Sequence, residues 1–460
     1  MNTIGLSGNS EFWEGILSQL GIPSRIIKDH EKKNERGKLA AVIINNRLKK
    51  DELSTIKRNY GENIIIIYTP EWGKLTQVIS RKDKFVREGE EYRFEVETEV
   101  FHSDIKLREK EAFFPLKFKF SAEGNKERKN FYYSRKELAS ERVSKADHYE
   151  IIRFVRNFLV QVFNQNGKVL LGYSTLPGNE PLFIFRIDTD FASIKEIGVF
   201  YELCNNYNIS ATWFVDIHSE EILEYYQAFR NQEIGLHCDR HFVYKNKTDN
   251  LRNIRNGLNQ LKAHKIYPAG FAAPFGEWNT QLEESLFELD FIYSSEFSFA
   301  YDSLPIIRKN DNQNLLQIPI HPISPGRLRR SHFNTAEMID YYIKQIESCR
   351  RLNLPAIIYH HPSHGLSNLI EAIFKNIKQE SINNLTMLSY ASWWLKRHES
   401  IINGSSAELL DIVTLEKQIR KFPSDYERKY KKNCRWYLSE YESNQGRRYF
   451  QRHGYPSKLL

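Results

Sequence analysis

The sequence predicts an α/β protein in which a distorted (β/α) barrel follows a smaller α/β domain. From about residue 182 to residue 400, apolar runs of strand length alternate repeatedly with amphipathic helical segments, which favours a barrel over an open sheet. A shorter α/β alternation occupies the first 70 residues. We therefore expect an α/β domain at 1–135, a helix and linker at 136–180, the barrel at 181–400 and an extension at 401–460.

The composition excludes several classes of protein. The 460-residue chain is 41% hydrophobic and carries 29 Phe, 25 Tyr and 7 Trp, an aromatic content that a mainly disordered chain does not have. Its apolar runs are shorter than the ~18 residues that a membrane-spanning helix needs. The first residues show neither a basic leader nor an apolar stretch with a cleavage site, so we expect a cytoplasmic protein. Four scattered cysteines indicate neither a disulfide framework nor a cysteine zinc site.

Positive charge is concentrated at the C-terminal end. The net charge is +8, and residues 416–460 hold twelve Lys/Arg against five Asp/Glu, a balance of 12 − 5 = +7. Aromatic residues are interspersed among them, a mixture suited to nucleic acid, an acidic glycan or an anionic membrane surface. We expect the membrane surface, peripheral to its inner face, and no specific nucleic acid. The alternative is a docking helix with a solvated basic face.

The N-terminal segment alternates helix and strand. Ser10 can cap a helix that Gly21 ends, the buried strand Leu39–Asn45 follows, and a second helix leads to the strand Asn63–Thr69. Two strands joined by a helix form a βαβ unit, which implies a parallel sheet. The segment resembles a class I glutamine amidotransferase domain, but no cysteine precedes Cys204, so that activity lacks its nucleophile. We expect a binding or scaffolding domain.

Three features separate this segment from the barrel. Alternating apolar and charged residues over Tyr92–Val100 predict a half-exposed antiparallel strand, and the polar stretch Ser121–Asn130 predicts a loop. An amphipathic helix is expected from Lys145 to Phe163. Glycine and proline at 167–178 indicate the linker into the barrel.

The strands of the barrel point to the candidates for chemistry. The predicted strands are Leu182–Ile187, Ala211–Val215, Ile234–His237, Gly270–Ala272, Gln317–Ile320 and Ala356–His360. The predicted helices are Ile194–Tyr207, Leu251–Ala263, Ala336–Leu352 and Ser367–Lys378. Because the carboxyl ends of barrel strands share one rim, polar residues that follow these strands are expected to converge. They are Asp188, Asp190, His237, His241, the loop 274–276, His360, His361 and His364.

Three residues of this set, Asp190 and the pair His237 and His241, predict a metal site. One carboxylate and two neutral imidazoles form a three-ligand site with open positions, typical of a hydrolytic Zn²⁺ or a similar divalent ion. The i, i+4 spacing of His237 and His241 lets both imidazoles face one point. Such an ion activates water and polarises a carbonyl. A second carboxylate can then take a proton from the water, and a histidine across the barrel can donate one to the leaving group.

The motifs Asp-Thr-Asp, His-x-x-x-His, Ala-Pro-Phe-Gly and Tyr-His-His-Pro, in this order, resemble those of the polysaccharide deacetylase superfamily, carbohydrate esterase family 4. The resemblance covers about residues 182–400, and the segment 210–215 is similar to that family's second strand. It implies a distorted barrel and a metal-dependent hydrolase. The reaction implied is removal of an acetyl or formyl group from an amino-sugar glycan or a lipid-linked sugar.

The resemblance also implies a role for each residue. The metal ligands would be Asp190, His237 and His241, and the ion would be zinc, with cobalt, manganese or nickel as alternatives. The catalytic groups would be the base Asp188, the backbone N–H of Phe275 for the oxyanion, and the acid His361, with His360 as the alternative acid.

The chain departs from the family pattern in three places. The first motif is D-x-D in place of the usual D-D. This form resembles that of the branch of the family that includes peptidoglycan deacetylase-like and lipid-linked aminoarabinose deformylase-like enzymes. Ala272 stands where an arginine normally steadies the base. The carboxylate that pairs with the acid histidine is not evident; its candidates are Glu277, Glu296 and Asp302. We expect an intact metal site with altered surroundings. The rival hypothesis is a non-catalytic glycan-binding protein on a degenerate barrel.

Other residues have two interpretations each. Trp213, Trp278 and Tyr301 can stack on a sugar ring or belong to the core. Cys238, between the two histidines of the metal pair, can be a nucleophile or a neighbour that points away. In each case we expect the second interpretation.

Overall fold

The computed structural model describes residues 3–8, 11–27, 39–44, 50–69, 79–87, 90–98, 110–114, 116–117, 126–133, 136–144, 148–217, 220–310, 313–403 and 412–415. The basic extension at 416–460 and the predicted helix cap Ser10 lie outside these ranges, so what is expected of them stays a prediction.

A parallel sheet forms the N-terminal part of the chain, as the βαβ pattern predicts. The first elements are β1 (Thr3–Ser7), α1 (Glu11–Leu20), β2 (Ser24–Ile26), β3 (Leu39–Ile44), α2 (Lys50–Tyr60), β4 (Ile65–Tyr68), β5 (Ile79–Arg87), β6 (Glu90–Thr98) and β7 (Glu111–Phe113). Five of the strands pair in the order β2-β1-β3-β4-β7. Both faces of the sheet are covered: Ile43 lies in the main core, whereas Val42 and Ile66 pack with Ile56 of α2.

Short antiparallel strands and one long helix link this sheet to the barrel. They are β8 (Leu116–Lys117), β9 (Lys126–Lys129), β10 (Tyr132–Tyr133), β11 (Lys136–Glu137), β12 (Glu141–Ser144), α3 (His148–Gln165) and β13 (Leu171–Tyr173). β6 pairs antiparallel with β5 and β8, so the antiparallel strand predicted from the alternation after Tyr92 is present. The predicted helix is α3.

The predicted loop over Ser121–Asn130 is wrong for residues 126–129. These residues form β9, which pairs antiparallel with β12. The stretch is polar because its charges have partners on the barrel. Lys126 Nζ lies 2.5 Å from Glu277 Oε1, and Lys129 is buried with its ammonium over the ring of Tyr301.

A nine-stranded curled sheet forms the barrel segment. Its elements are β14 (Leu182–Asp188), α4 (Ile194–Asn206), β15 (Ala211–Val215), α5 (Glu220–Gln227), β16 (Glu233–Leu236), α6 (Lys247–Ala263), β17 (Gly270–Phe271), α7 (Thr280–Glu288), β18 (Tyr293–Ser294), β19 (Ile306–Asn310), β20 (Gln313–Gln317), α8 (Pro325–Arg330), α9 (Thr335–Leu352), β21 (Ala356–His360), α10 (Ser367–Gln379), β22 (Asn383–Asn384) and α11 (Met387–Asn403); β23 (Ile412–Thr414) follows. The strand order is β19-β20-β18-β17-β16-β15-β14-β21, with β22 beside β14. The predicted fold class is confirmed.

The barrel is distorted where its two ends meet. β19 runs antiparallel to β20, while the other neighbours pair in parallel. Beside β20, the backbone N–H of His321 donates to Ile357 O of β21 at 3.0 Å. The strand predicted at Gln317–Ile320 is found earlier, at Gln313–Gln317. The first residues of β20 are exposed and polar because they pair with β19 in an antiparallel hairpin. The strand therefore begins before the apolar run from which it was predicted.

The buried Arg397 of α11 joins the N-terminal part to the barrel. Its guanidinium donates to Ser18 O at 2.9 Å and Gln19 O at 3.1 Å, at the carboxyl end of α1, and to Ser174 O at 2.6 Å. A cation at this end of a helix satisfies carbonyls that have no partner within the helix. Among the described helices, none is long and apolar enough to cross a bilayer.

Candidate metal centre and active site

The first barrel strand holds Asp188 in a fixed orientation. Its buried carboxylate accepts hydrogen bonds from Nε and Nη2 of Arg186 at 2.6 and 2.8 Å. The two side chains meet because residues two apart on a strand face the same side of the sheet. Arg186 Nη1 donates to Ser295 O at 2.6 Å, and its guanidinium lies over the rings of Phe214 and Tyr359. The arginine therefore has little freedom, and neither does the carboxylate.

Arg186, and not residue 272, supplies the charged donor to the Asp188 carboxylate. Ala272 is fully buried and carries no side-chain donor, but its carbonyl accepts a hydrogen bond from His237. Arg186 was not among the predicted site residues. The signal was present in the sequence, as an arginine two positions before an aspartate on one predicted strand.

Asp190, His237 and His241 converge, as their positions after the strands predict. His237 Nε2 and His241 Nε2 lie 3.1 and 3.0 Å from the same oxygen, Asp190 Oδ1. One ligand atom from each residue lies within 4.8 Å of the other two. Asp190 follows β14 and the histidines follow β16, with β15 between, so the shared rim of the barrel brings them together.

The donor set fits a divalent metal ion. His237 Nδ1 lies 2.7 Å from Ala272 O, and a carbonyl only accepts, so Nδ1 carries the proton. In a neutral imidazole, Nε2 then turns its lone pair towards Asp190 Oδ1. Two acceptors at this distance repel each other unless a proton or a metal ion lies between them. One carboxylate and two imidazoles are ligands that zinc and similar ions accept, and the carbonyl behind His237 orients one of them.

Asp190 is ionised in this site. Burial raises the pKa of its carboxyl, but hydrogen bonds from His237, His241 and His361 outweigh burial and hold the pKa well below its ordinary value. Burial also opposes the charged form of His237, and the hydrogen bond to Asp190 outweighs it, so the pKa of His237 is raised. The carboxylate is therefore present in the form that binds a cation, and a metal ion would replace the protons that the imidazoles share with it.

The histidine doublet has one member in the site. His360 is fully buried, its Nε2 lies 2.9 Å from Gly365 O, and its ring packs 4.7 Å from that of Phe200. His361 Nε2 lies 3.1 Å from Asp190 Oδ2. Of the two candidates for the acid, His361 is the one beside the candidate metal ligands.

His361 has no carboxylate partner at Nδ1 among the described residues, while its Nε2 faces Asp190. Its Nδ1 is buried without a hydrogen bond, and so is Nδ1 of His364, whose ring lies 4.9 Å away. Burial is the largest cause that lowers the pKa of His364, to about 4, so its imidazole is neutral at neutral pH. The three candidate carboxylates bind elsewhere: Glu277 to Lys126 and Arg142, Glu296 to Ala273 and Gln317, and Asp302 to His321.

The turn Pro274–Gly276 presents the backbone N–H of Phe275. Glu296 Oε1 accepts the N–H of Ala273 at 3.0 Å and so holds the start of the turn, while burial raises the pKa of Glu296 to about 7. Within the described residues, the Phe275 N–H donates to no protein acceptor. It is therefore available to a developing oxyanion.

Gly276→Ala is expected to destabilise the protein by about 2 kcal/mol, because φ is +59° there and a Cβ would overlap the ring of Phe297. Thermal unfolding measures the loss. Gly167→Ala is the matched control, since Gly167 has a similar φ of +66° and open space around it. An equal loss in both variants would show that packing under the turn does not matter.

Backbone strain is present at this site, although other described residues such as Lys265, His332 and Leu366 also have a positive φ. Positive φ angles occur at Asp190, Phe191, Cys238, His241 and Phe275. Each such residue costs roughly 1–3 kcal/mol and persists only where its surroundings impose the conformation. The cluster indicates that the placement of these side chains is maintained at the expense of stability, as in functional sites.

The residues with two interpretations prove to be structural. Trp213, Trp278 and Tyr301 are at most 4% exposed, so stacking on a sugar is wrong for them and the core assignment is right. Cys238 is also buried, and burial raises the pKa of its thiol, which makes it a poor nucleophile.

Solved structures similar to this one include polysaccharide deacetylases, the family that the motifs resemble. A probable polysaccharide deacetylase from Pseudomonas aeruginosa is 13% identical, with a TM-score of 0.43 over 49% of this chain and 95% of that one. A peptidoglycan deacetylase from Bacillus subtilis is 12% identical, with a TM-score of 0.34 over 49% and 96%. A CE4 family pseudoenzyme from Bacillus anthracis is 12% identical, with a TM-score of 0.36 over 46% and 66%. No protein-family model and no curated protein matches the chain.

Proposed function

We propose that the protein is a metal-dependent hydrolase that removes an acetyl or formyl group from an amino-sugar glycan or a lipid-linked sugar. The observation that supports this most directly is the convergence of Asp190, His237 and His241 beside His361 on the rim of the barrel. Asp188 is the last residue of β14, two positions before Asp190, and Arg186 fixes its carboxylate. A metal site with a separate base and acid is suited to amide hydrolysis.

The residues around the centre have distinct tasks in this proposal. A divalent ion held by the aspartate and the histidine pair, zinc or else cobalt, manganese or nickel, would lower the pKa of water and polarise the amide carbonyl. Asp188 accepts the proton that the attacking water loses, and Arg186 keeps its carboxylate in place. The Phe275 N–H donates to the oxygen that gains charge, and His361 gives a proton to the departing amine.

Chelation is expected to abolish release of the acyl group from N-acetylated and N-formylated amino sugars, because the water then loses its activation. Restoring the activity with one equivalent of divalent ion, measured by appearance of the free amine, would identify the metal. A protein variant with His237→Ala and His241→Ala is the matched control and should regain nothing. Activity that survives chelation, or returns in this variant, would contradict the proposal.

A non-catalytic glycan-binding protein is the rival candidate, because Nδ1 of His361 has no carboxylate partner within the part of the chain that the structure describes. The chelation and metal-restoration experiment also distinguishes the hydrolase from the binding protein. Retained metal without hydrolysis of free or lipid-linked N-acyl sugars, at any metal tested, would favour binding alone.

A further inference from the structure

A buried carboxylate, that of Asp216, holds the segment that carries Asp190. Asp216 directly follows β15, the strand beside β14. Its carboxylate accepts hydrogen bonds from Thr189 Oγ1 at 2.6 Å and from the backbone N–H of Phe191 at 3.0 Å. Thr189 Oγ1 in turn accepts the backbone N–H of Asp216 at 3.2 Å. The residues on either side of Asp190 are therefore tied to the end of the neighbouring strand.

The segment needs this support because its backbone is strained. Asp190 has a φ of 32° and Phe191 a φ of 58°, a region that residues with a side chain rarely adopt. Such conformations persist only where the surroundings impose them. Thr189 and Asp216 are 1% and 2% exposed, and in the interior a polar group is stable only with its hydrogen-bond partners. The buried contacts between them therefore oppose relaxation of the segment.

The position of Asp190 matters at both oxygens of its carboxylate. Oδ1 lies within 3.1 Å of Nε2 of His237 and of His241, and Oδ2 lies 3.1 Å from Nε2 of His361. These histidines follow β16 and β21, which are different segments of the chain. A shift of residues 189–191 would therefore move the carboxylate away from all three imidazoles. Metal affinity depends on such preorganisation of the ligands.

We propose that Asp216, together with Thr189, is a positioning residue for the candidate metal ligand Asp190 and so sets the affinity of the site for its divalent ion. The inference rests on the proposed function only for the presence of that ion, and it makes no claim about the substrate. The ligand group found among the described residues is Asp190, His237 and His241, so Asp216 acts through the backbone and not as a ligand.

Thr189→Val is expected to weaken the binding of Zn²⁺ and of Co²⁺ by about 10–100-fold. The substitution keeps the shape of the side chain but removes the hydroxyl that links Asp216 to the segment. Competition with a chromophoric chelator, starting from the metal-free protein, measures the affinity without any turnover. The visible absorption spectrum of bound Co²⁺ should change as well, because it reports the geometry of the ligands.

Asp216→Ala removes both acceptor oxygens and should weaken metal binding at least as much as Thr189→Val. Asp216→Asn keeps one acceptor oxygen and should recover part of the affinity that Asp216→Ala loses. If Asp216→Ala does not fold, Asp216→Asn and Thr189→Val decide the question.

Thr212→Val is the matched control. Thr212 is fully buried, its hydroxyl donates to the carboxylate of Glu233 at 2.8 Å, and it accepts the backbone N–H of Met387 at 2.8 Å. These contacts are of the same kind as those of Thr189, but they lie near the amino end of β15, at the opposite end of the barrel. Thr212→Val should lower the thermal stability and bind the ion as tightly as the wild type does.

Unchanged metal affinity in Thr189→Val and in the Asp216 variants would overturn the inference. An equal loss of affinity in Thr212→Val would also overturn it, because the effect would then follow from stability alone. A wild-type protein that binds the ion but releases no acyl group would contradict the proposed function, while the affinities would still decide this inference. A wild-type protein that binds no divalent ion would refute both.

Discussion

Asp190→Ala is expected to yield protein without bound metal, whereas Asp188→Asn is expected to keep the metal and lose turnover by about 10²–10⁴-fold. The difference follows from position. Asp190 Oδ1 lies within 3.1 Å of both imidazoles of the histidine pair, so its removal leaves two neutral ligands without the charged one. Asp188 faces Arg186 instead. Elemental analysis after gel filtration and the rate of amine release measure the two effects.

His237→Ala should behave like Asp190→Ala, and His361→Ala should behave like Asp188→Asn, because His361 acts as the proton donor. Full retention of metal after Asp190→Ala would remove the basis of the assignment. Normal turnover in Asp188→Asn would leave the metal site in place but require another base.

Arg186→Met is expected to lower the free energy of unfolding by about 3–5 kcal/mol and to abolish turnover. The substitution leaves the buried carboxylate of Asp188 without its charged partner, and it also removes the donor to Ser295 O. Urea unfolding measures the stability. The double variant Arg186→Met, Asp188→Asn should recover part of the loss, because no unpaired charge remains in the interior.

Arg350→Met is the control for loss of an arginine ion pair. Arg350 and Glu380 are about half exposed, at 50% and 52% of their side chains, so this pair contributes ~1 kcal/mol or less. Arg186→Lys keeps the charge but not the two-pronged contact, and should recover stability more than turnover. A loss for Arg186→Met no larger than for Arg350→Met would show that the Asp188 carboxylate does not depend on Arg186.

The barrel and the convergence of the candidate metal ligands were predictable from the sequence alone. Apolar strand patterns such as Ala211–Val215 and Ala356–His360 recur in the structure with the same bounds. Asp190 and His237 are far apart in the sequence, but the rule that strand ends share a rim places both on one side. The topology of the barrel is predicted by patterns repeated over many residues, and it in turn determines where these side chains lie.

Features set by individual contacts were not predictable in the same way. The strand at 126–129 has the composition of a loop, and its contacts with the barrel, Lys126 with Glu277 and Lys129 with the ring of Tyr301, show why the charges lie there. The sequence does not indicate whether His360 or His361 lies in the site. Neighbouring residues point to opposite sides, so the orientation of the strand end decides which of the two enters it.

Short-range patterns of polarity and spacing were thus enough to predict three things: the fold class, the rim of the barrel as the place of the site, and the types of side chain in it. The fold class and the rim depend on the periodicity of apolar residues, and the types of ligand depend on the chemistry of single side chains. The tertiary structure decided that Arg186 holds the carboxylate of Asp188, that Trp213 and Trp278 are core, and that Phe191 and Phe275 are exposed. The burial of a side chain and the partner of a charged group depend on segments that are distant in the chain. The sequence alone therefore does not tell a buried aromatic residue from an exposed one, because the hydrophobicity of the residue is the same in both cases.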